Sequence, residues 1–140
     1  MTQLNPYLNL DGTTEEAFNL YKSVFGGEFT DFTRFKDMPE AAELSPEENE
    51  KIMHVSLKIG DNILMGTDAL PKQGRTVTMG TNVSLSIEAD TKEAAEELYA
   101  KLSAGGVKDM PMADMFWDAY FGILTDKFGI KWMINCNNKK

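Results

Sequence analysis

The chain holds one histidine, His54, and one cysteine, Cys136, so any chemistry it performs must be built around that scarcity. A metal triad of two histidines and a carboxylate cannot be assembled from one imidazole within a single protomer. Cys136 has no histidine near it in sequence and nothing that would favour its thiolate. The serines lack the glycine-flanked setting of a nucleophile elbow. His54 lies in the run Ile52-Met53-His54-Val55-Ser56-Leu57-Lys58-Ile59. Strand alternation puts Val55, Leu57 and Ile59 on one face, which suits a helix-packed core, and Ile52, His54 and Ser56 on the other. On that second face the imidazole could serve as a general base, with Tyr7 as partner, or as a hydrogen-bond donor to a ligand. The reading favoured over these is a structural histidine bonded to a polar group of a neighbouring strand.

The same alternation gathers Asn5, Tyr7, Asn9, His54, Ser56, Asn82, Ser84 and Ser86 as a polar set, because Leu8, Leu10, Val83, Leu85 and Ile87 take the opposite side. Met65, Met133, Phe121 and Trp117 stand among them. Small polar groups between thioethers and aromatic rings suit a small organic ligand with a few polar atoms. A dimer interface or a water-filled groove is the competing expectation. Methionine is otherwise core filler and tryptophan a packing anchor.

Behind these residues the chain repeats itself. Asn5 to Leu10 and Asn82 to Ile87 both read as short strands, each runs into a helix, and each helix stops at a glycine pair, Gly26-Gly27 and Gly105-Gly106. His54 to Gly60 then lines up with Ile123 to Gly129. The offset from Asn5 to Asn82 nearly equals that from Gly26 to Gly105, whereas the offset from Gly60 to Gly129 is shorter. The first copy is therefore the longer one between helix and third strand.

The first copy reads as a strand over Leu4–Leu10, a helix over Thr13–Phe25 opened by a Thr13/Glu16 capping box, and a strand over Glu28–Lys36. In that strand Phe29, Asp31, Thr33 and Phe35 oppose Thr30, Phe32 and Arg34. An acidic excursion over Asp37–Glu50 contains the helix-start signal Ser45-Pro46-Glu47-Glu48. Strands Ile52–Ile59 and Asn62–Thr67 form a hairpin on Gly60-Asp61. After a polar linker, Asp68–Gly80, the second copy gives a strand over Thr81–Glu88 and a helix capped by Asp90 with Ala94, Ala95, Leu98 and Leu102 inward. Strands Val107–Met115, Phe116–Thr125 and Ile130–Asn135 follow. Each copy is β-α-β-β-β, an α+β pattern. The whole is expected to be one domain of residues 1–140, with modules of about 1–70 and about 80–140.

A formal net charge of −8 disfavours nucleic-acid and anionic-membrane surfaces. No apolar run reaches spanning length, and the N-terminus lacks a basic-then-apolar signal. A single cysteine cannot form an internal disulfide, which points to the cytoplasm.

Asn5-Pro6-Tyr7-Leu8-Asn9-Leu10, Ala17-Phe18-Asn19-Leu20-Tyr21 with Phe25-Gly26-Gly27, and Ile52-Met53-His54-Val55-Ser56-Leu57 resemble the PhnB-like family. So do Met110-Pro111-Met112-Ala113, Phe116-Trp117 and Thr125 to Asn135, in family order along nearly the whole chain. Asp118 departs from the glycine expected after the Phe-Trp pair. The resemblance implies the vicinal-oxygen-chelate superfamily, with glyoxalase I, bleomycin-resistance proteins and extradiol dioxygenases. It implies paired βαβββ modules forming a cup-shaped mixed sheet, usually as a homodimer. The superfamily's metal enzymes take His, Glu or Gln ligands from strands one and four of each module. Those places here hold Asn5, Leu64 or Met65, Asn82 and Met133, poor donors to a divalent ion. The expectation is therefore a small-molecule-binding protein without metal or other cofactor. The alternatives are a glyoxalase- or dioxygenase-type enzyme, metal-dependent or using His54 as base, and a module whose cup serves only assembly. The methyltransferase label carried by some PhnB-like proteins is not expected to apply, since no glycine-rich loop follows a strand.

Overall fold

The computed structural model describes residues 2–137. It divides into two compact units, with the boundary between Thr78 and Met79. No helix among the described residues is long and apolar enough to cross a membrane.

The first unit comprises β1 (Tyr7–Leu10), α1 (Thr14–Phe25), β2 (Glu28–Arg34), α2 (Pro46–Asn49), β3 (Ile52–Ile59) and β4 (Asn62–Asp68). Its sheet has the order β1-β4-β3-β2, with β1 parallel to β4 and the other pairs antiparallel. The second unit comprises β5 (Leu85–Glu88), α3 (Lys92–Ser103), β6 (Val107–Met115), β7 (Ala119–Thr125) and β8 (Lys131–Asn137). Its order, β5-β8-β7-β6, repeats the first, again with one parallel edge pair. The internal repeat expected from the sequence is thus a repeat of topology.

The glycine pairs show why the motif occurs twice. Gly26 and Gly105 have φ of 77° and 76°. Gly26 uses that left-handed backbone as the C-cap of α1, whereas Gly105 uses it in the turn just past Ala104, where α3 ends; the conformation comes at little cost only in glycine. Their successors are pressed against backbone. A Cβ on Gly27 would collide with the Lys58 carbonyl oxygen, and one on Gly106 with that of Thr125.

Each helix seals one face of its sheet. In the first unit Ala17, Phe18 and Tyr21 of α1 are buried with Leu8, Leu10, Val55, Leu57 and Leu64. In the second, Ala95, Tyr99 and Leu102 of α3 are buried with Leu124, Trp132, Ile134 and Cys136. Ala94 and Leu98, expected inward, are half-buried, and Tyr99 takes the deep position. Its hydroxyl lies 3.0 and 3.1 Å from the carbonyls of Met110 and Ile123.

Several boundaries differ from expectation for physical reasons. β1 starts at Tyr7, not Leu4, because Pro6 has no N–H and offers the ladder only its carbonyl, which accepts from the Met65 amide. β2 stops at Arg34, and Phe35–Asp37 turns as a 3₁₀ segment. The acidic excursion contains α2, where Ser45 and Glu48 form a capping box and Pro46 sets the first turn. α3 is capped by Thr91 rather than Asp90: its hydroxyl accepts from the Ala94 amide at 3.0 Å. The β6–β7 turn holds Asp118 at a φ of 64°. The backbone shape that suits glycine is thus kept by an aspartate.

The Thr13/Glu16 capping box does not form, since Thr13 makes no side-chain cap bond. A buried carboxylate from β4 takes its place. Asp68 is 1% exposed; its Oδ1 accepts from the Thr14 amide at 3.0 Å and its Oδ2 from the Ile52 amide at 2.8 Å. One side chain therefore fixes the start of α1 and the start of β3 together. Asp68→Ala strands two buried N–H groups and is expected to lower unfolding free energy by about 2–4 kcal/mol in urea titration. Asp68→Asn, which keeps one acceptor oxygen, is expected to fall between.

Candidate functional site

The face of the first sheet opposite α1 carries the chemistry. Cross-strand partners share a face, so Tyr7 opposite Met65, Met65 opposite Ser56, Ser56 opposite Asp31 and His54 opposite Thr33 build one continuous row pattern. His54 is 26% exposed, Tyr7 43% and Asp31 44%, while Ser56 is buried beneath them.

His54 Nδ1 lies 2.5 Å from Asp31 Oδ2. Thr33 donates its hydroxyl to Asp31 Oδ1 at 2.9 Å, so both carboxylate oxygens are engaged. The Tyr7 ring stands beside the imidazole at 5.7 Å between centroids, tilted by 42°. The hydrogen bond from His54 holds the Asp31 carboxyl below the usual range; partial burial opposes this, and hydrogen bonds from the Thr33 hydroxyl and the Phe32 backbone add to it.

Simple alternation does not place Asp31 on this face. It groups Asp31 with Phe29, but the register breaks: Phe29 pairs with Leu57, and the next pair is Asp31 with Ser56. The extra residue, Thr30, is a β-bulge that re-aims Asp31 toward His54. The sequence does carry a signal, the three-residue spacing of Phe29 and Phe32, whose rings meet edge-to-face at 5.4 Å. A second shift separates the Thr33–His54 and Arg34–Ile52 pairs. It accounts for Ile52, expected beside His54, being fully buried instead.

Of the other expected pocket residues in this unit, Met65 is half-buried on the His54 face, and Asn9 receives a hydrogen bond from Arg75 at 2.9 Å. Asn5 precedes β1. In the second unit Phe121 and Met133 lie on the face away from α3, with Trp117 packed edge-to-face on Phe121 at 5.6 Å. Asn82 and Ser84 precede β5. This second face is mixed: Met110 stands opposite Ile123 and Ile123 opposite Met133, while Asn135 lies opposite both Phe121 and Glu88, and Lys131 opposite Thr125.

The positions expected to correspond to metal ligands carry amide, thioether or aliphatic side chains. Leu64 is 4% exposed in the α1-facing core, which leaves Met65 as the residue on the chemical face. A thioether is a soft donor, unlike the imidazole and carboxylate ligands that oxygenase- or lyase-type ions take. Among the described residues no group of three or more His, Cys, Asp or Glu is placed to hold a metal.

A cavity of about 610 Å³ lies elsewhere in the first unit, lined by Gly12, Glu15, Arg34, Glu47, Glu50 and Lys51 among others. Several of its polar groups are engaged within the fold. Arg34 donates to both oxygens of Glu15 at 2.9 and 2.8 Å and to the Glu50 carbonyl, and Lys51 donates to the Gly12 carbonyl. This hydrogen bonding from Arg34, foremost, lowers the Glu15 pKa. The arrangement braces the start of α1 and leaves little to recognise a ligand.

The repeated β-α-β-β-β topology is that of the glyoxalase/bleomycin resistance protein/dioxygenase class. A family enzyme of that description from Burkholderia phytofirmans PsJN matches with a TM-score of 0.59 at 20% identity, covering 93% of this chain and 95% of that one. Within this class the chain belongs to the PhnB-like family described as 3-demethylubiquinone-9 3-methyltransferase, which matches residues 2–135. It is 31% identical to Protein YjdN of Escherichia coli (strain K12) over 140 residues, 94% of this chain and 93% of YjdN. The structure is similar to that of protein PA1353 from Pseudomonas aeruginosa, with a TM-score of 0.87, 36% identity and 98% of each chain covered.

The lowered pKa of Asp31 has a consequence for acid stability. Its folded value lies below its unfolded one, so the stabilisation is complete above the ordinary carboxylate pKa of about 4 and is lost as pH falls through the lowered value. Urea unfolding of wild type and Asp31→Asn is expected to show a stability difference near neutrality that shrinks steadily below about pH 4. A difference that stays constant across that range would contradict it.

Proposed function

We propose that the face of the first sheet opposite α1 binds a small organic molecule, and that it does so without a metal ion. The observation that carries this reading is the grouping of Tyr7, Asp31, His54 and Met65 on that face, the first three partly exposed, while the apolar partners of the same strands are buried against α1. An aromatic ring, a thioether and a hydrogen-bonded imidazole offer apolar contact with a few directional polar groups. The amides and thioethers at the positions expected to hold metal ligands support metal independence. Methyl transfer forms no part of this reading. The strand-to-helix turns, Asp11-Gly12-Thr13 and Ala89-Asp90-Thr91, are not glycine-rich loops that could cradle a nucleoside cofactor.

A second reading, a metal-free enzyme with His54 as general base, is favoured by the Asp31 contact, since a carboxylate behind an imidazole orients the ring and fixes its tautomer. The two are separated by a thermal-shift screen of small organic compounds followed by turnover assays on the hits. A ligand present at 100 times its Kd stabilises the folded state by about 2.7 kcal/mol, enough to raise Tm visibly. The shift is expected to survive chelator treatment and to vanish in Tyr7→Ala. Loss of turnover with retained binding in His54→Gln would mark an enzyme. A stoichiometric transition metal in the purified protein would refute metal independence.

We also propose that the chain works as a homodimer in the cytoplasm. Phe116 is 96% exposed and Trp117 47%, side by side at the β6–β7 turn, and the strands β2 and β6 each end their sheets. Exposed aromatics and unpaired strand edges suit contact with a second copy. The cytoplasmic placement rests on the lone cysteine. Light scattering is expected to give twice the 15.7 kDa chain mass; a monomer mass at all concentrations would refute the dimer.

A further inference from the structure

We propose that Asp31 is the positioning residue that makes His54 a proton acceptor toward the ligand, so that this site takes molecules presenting a weakly acidic hydroxyl. The inference rests on the reading of this face as a binding site. An ionised carboxylate can only accept hydrogen bonds, so the ring nitrogen facing Asp31, Nδ1, must carry the proton. A neutral imidazole has one N–H, and Nε2 is therefore left with its lone pair. Among the described residues Nε2 has no hydrogen-bond partner.

Three features hold this arrangement. The bulge at Thr30 delivers Asp31 to the His54 face. The Thr33 hydroxyl occupies Oδ1, so the carboxylate cannot swing away without losing that bond. Tyr7 packs beside the imidazole and limits its rotation. The lowered pKa of Asp31 agrees with a carboxylate that stays ionised near neutrality.

A ligand hydroxyl that donates to Nε2 can pass its proton there. The O–H bond breaks with its electron pair staying on oxygen, the N–H bond forms from the Nε2 lone pair, and the products are a ligand oxyanion and an imidazolium paired with Asp31. No oxidant, reductant or further reactant is consumed.

His54 is the chain's single histidine, so ¹⁵N spectra contain one set of imidazole signals. At a pH where the ring is neutral, wild type is expected to show a protonated, pyrrole-type Nδ1 and a pyridine-type Nε2. Asp31→Ala is expected to move the ring toward the Nε2–H tautomer, and Thr33→Val to do so partially. Amide spectra check that each variant is folded. A pyrrole-type Nε2 in wild type, or ring signals unmoved in both variants, would overturn the role of Asp31.

The ligand side is read with 4-nitrophenol, a weak acid whose ionised form absorbs visible light. Wild type is expected to bind it and enhance its phenolate band below the pH of free ionisation. His54→Gln and Asp31→Ala are expected to lose the enhancement and to weaken binding about tenfold. Binding unchanged in both variants would overturn this inference alone. Absence of binding to wild type would count against the hydroxyl ligand class, and if the broader compound screen also finds no binder it would remove the binding-face reading beneath it.

Discussion

A four-stranded sheet has two faces, and each unit of this chain supplies one long helix to cover them. That inequality governs the rest. The helix must take the face with the stronger apolar set, so Val55, Leu57 and Leu64 go under α1 and Trp132, Ile134 and Leu124 under α3. The strands, which alternate by necessity, then present everything else on the far side. In the first unit that side carries a histidine, an aspartate, a tyrosine and a methionine; in the second, methionine, isoleucine and phenylalanine stand among Ser86, Glu88, Lys131 and Asn135. The candidate site is what the core leaves over, placed with the precision of a β-ladder rather than the looseness of a loop.

Much of this was legible in the residues. The repeat was visible from glycine pairs that serve one function in the left-handed turn and another in the close approach to a carbonyl. The third and fourth strands of each copy announced themselves by alternation and by the turns between them, and His54 fell on the face assigned to it. What could not be read is where alternation fails. A bulge moves one residue across the sheet without changing composition, and it hid Asp31 behind Phe29. Likewise Thr13 carries the residue type of a helix cap, yet Asp68, more than fifty positions away, does the capping, because local pattern cannot reveal a long-range carboxylate. Asn5, Asn82 and Ser84 match the strand pattern in sequence but lie before the paired segments, where Pro6 and the short parallel edges end the ladder.

The polar interactions fall into two kinds. Asp68 is sealed, saturated and structural: it accepts from two backbone amides in the interior. Arg34, Glu15 and Lys51 brace the same region at the surface, where exposed ion pairs add less. Asp31 is accessible and acts chiefly on another side chain, His54. The difference is one of destination, since a carboxylate that ends on the main chain secures an element, whereas one that ends on an imidazole sets the state of a titratable group.

The β6–β7 turn carries two adjacent aromatic rings into solvent beside Asp118, in a backbone conformation that a glycine would hold with less steric cost. A carboxylate at that spot sets a charge beside two exposed rings, the kind of placement that flanks apolar segments against unselective association. The left-handed backbone there costs an aspartate about 1 kcal/mol, the toll for a negative charge where glycine would offer none.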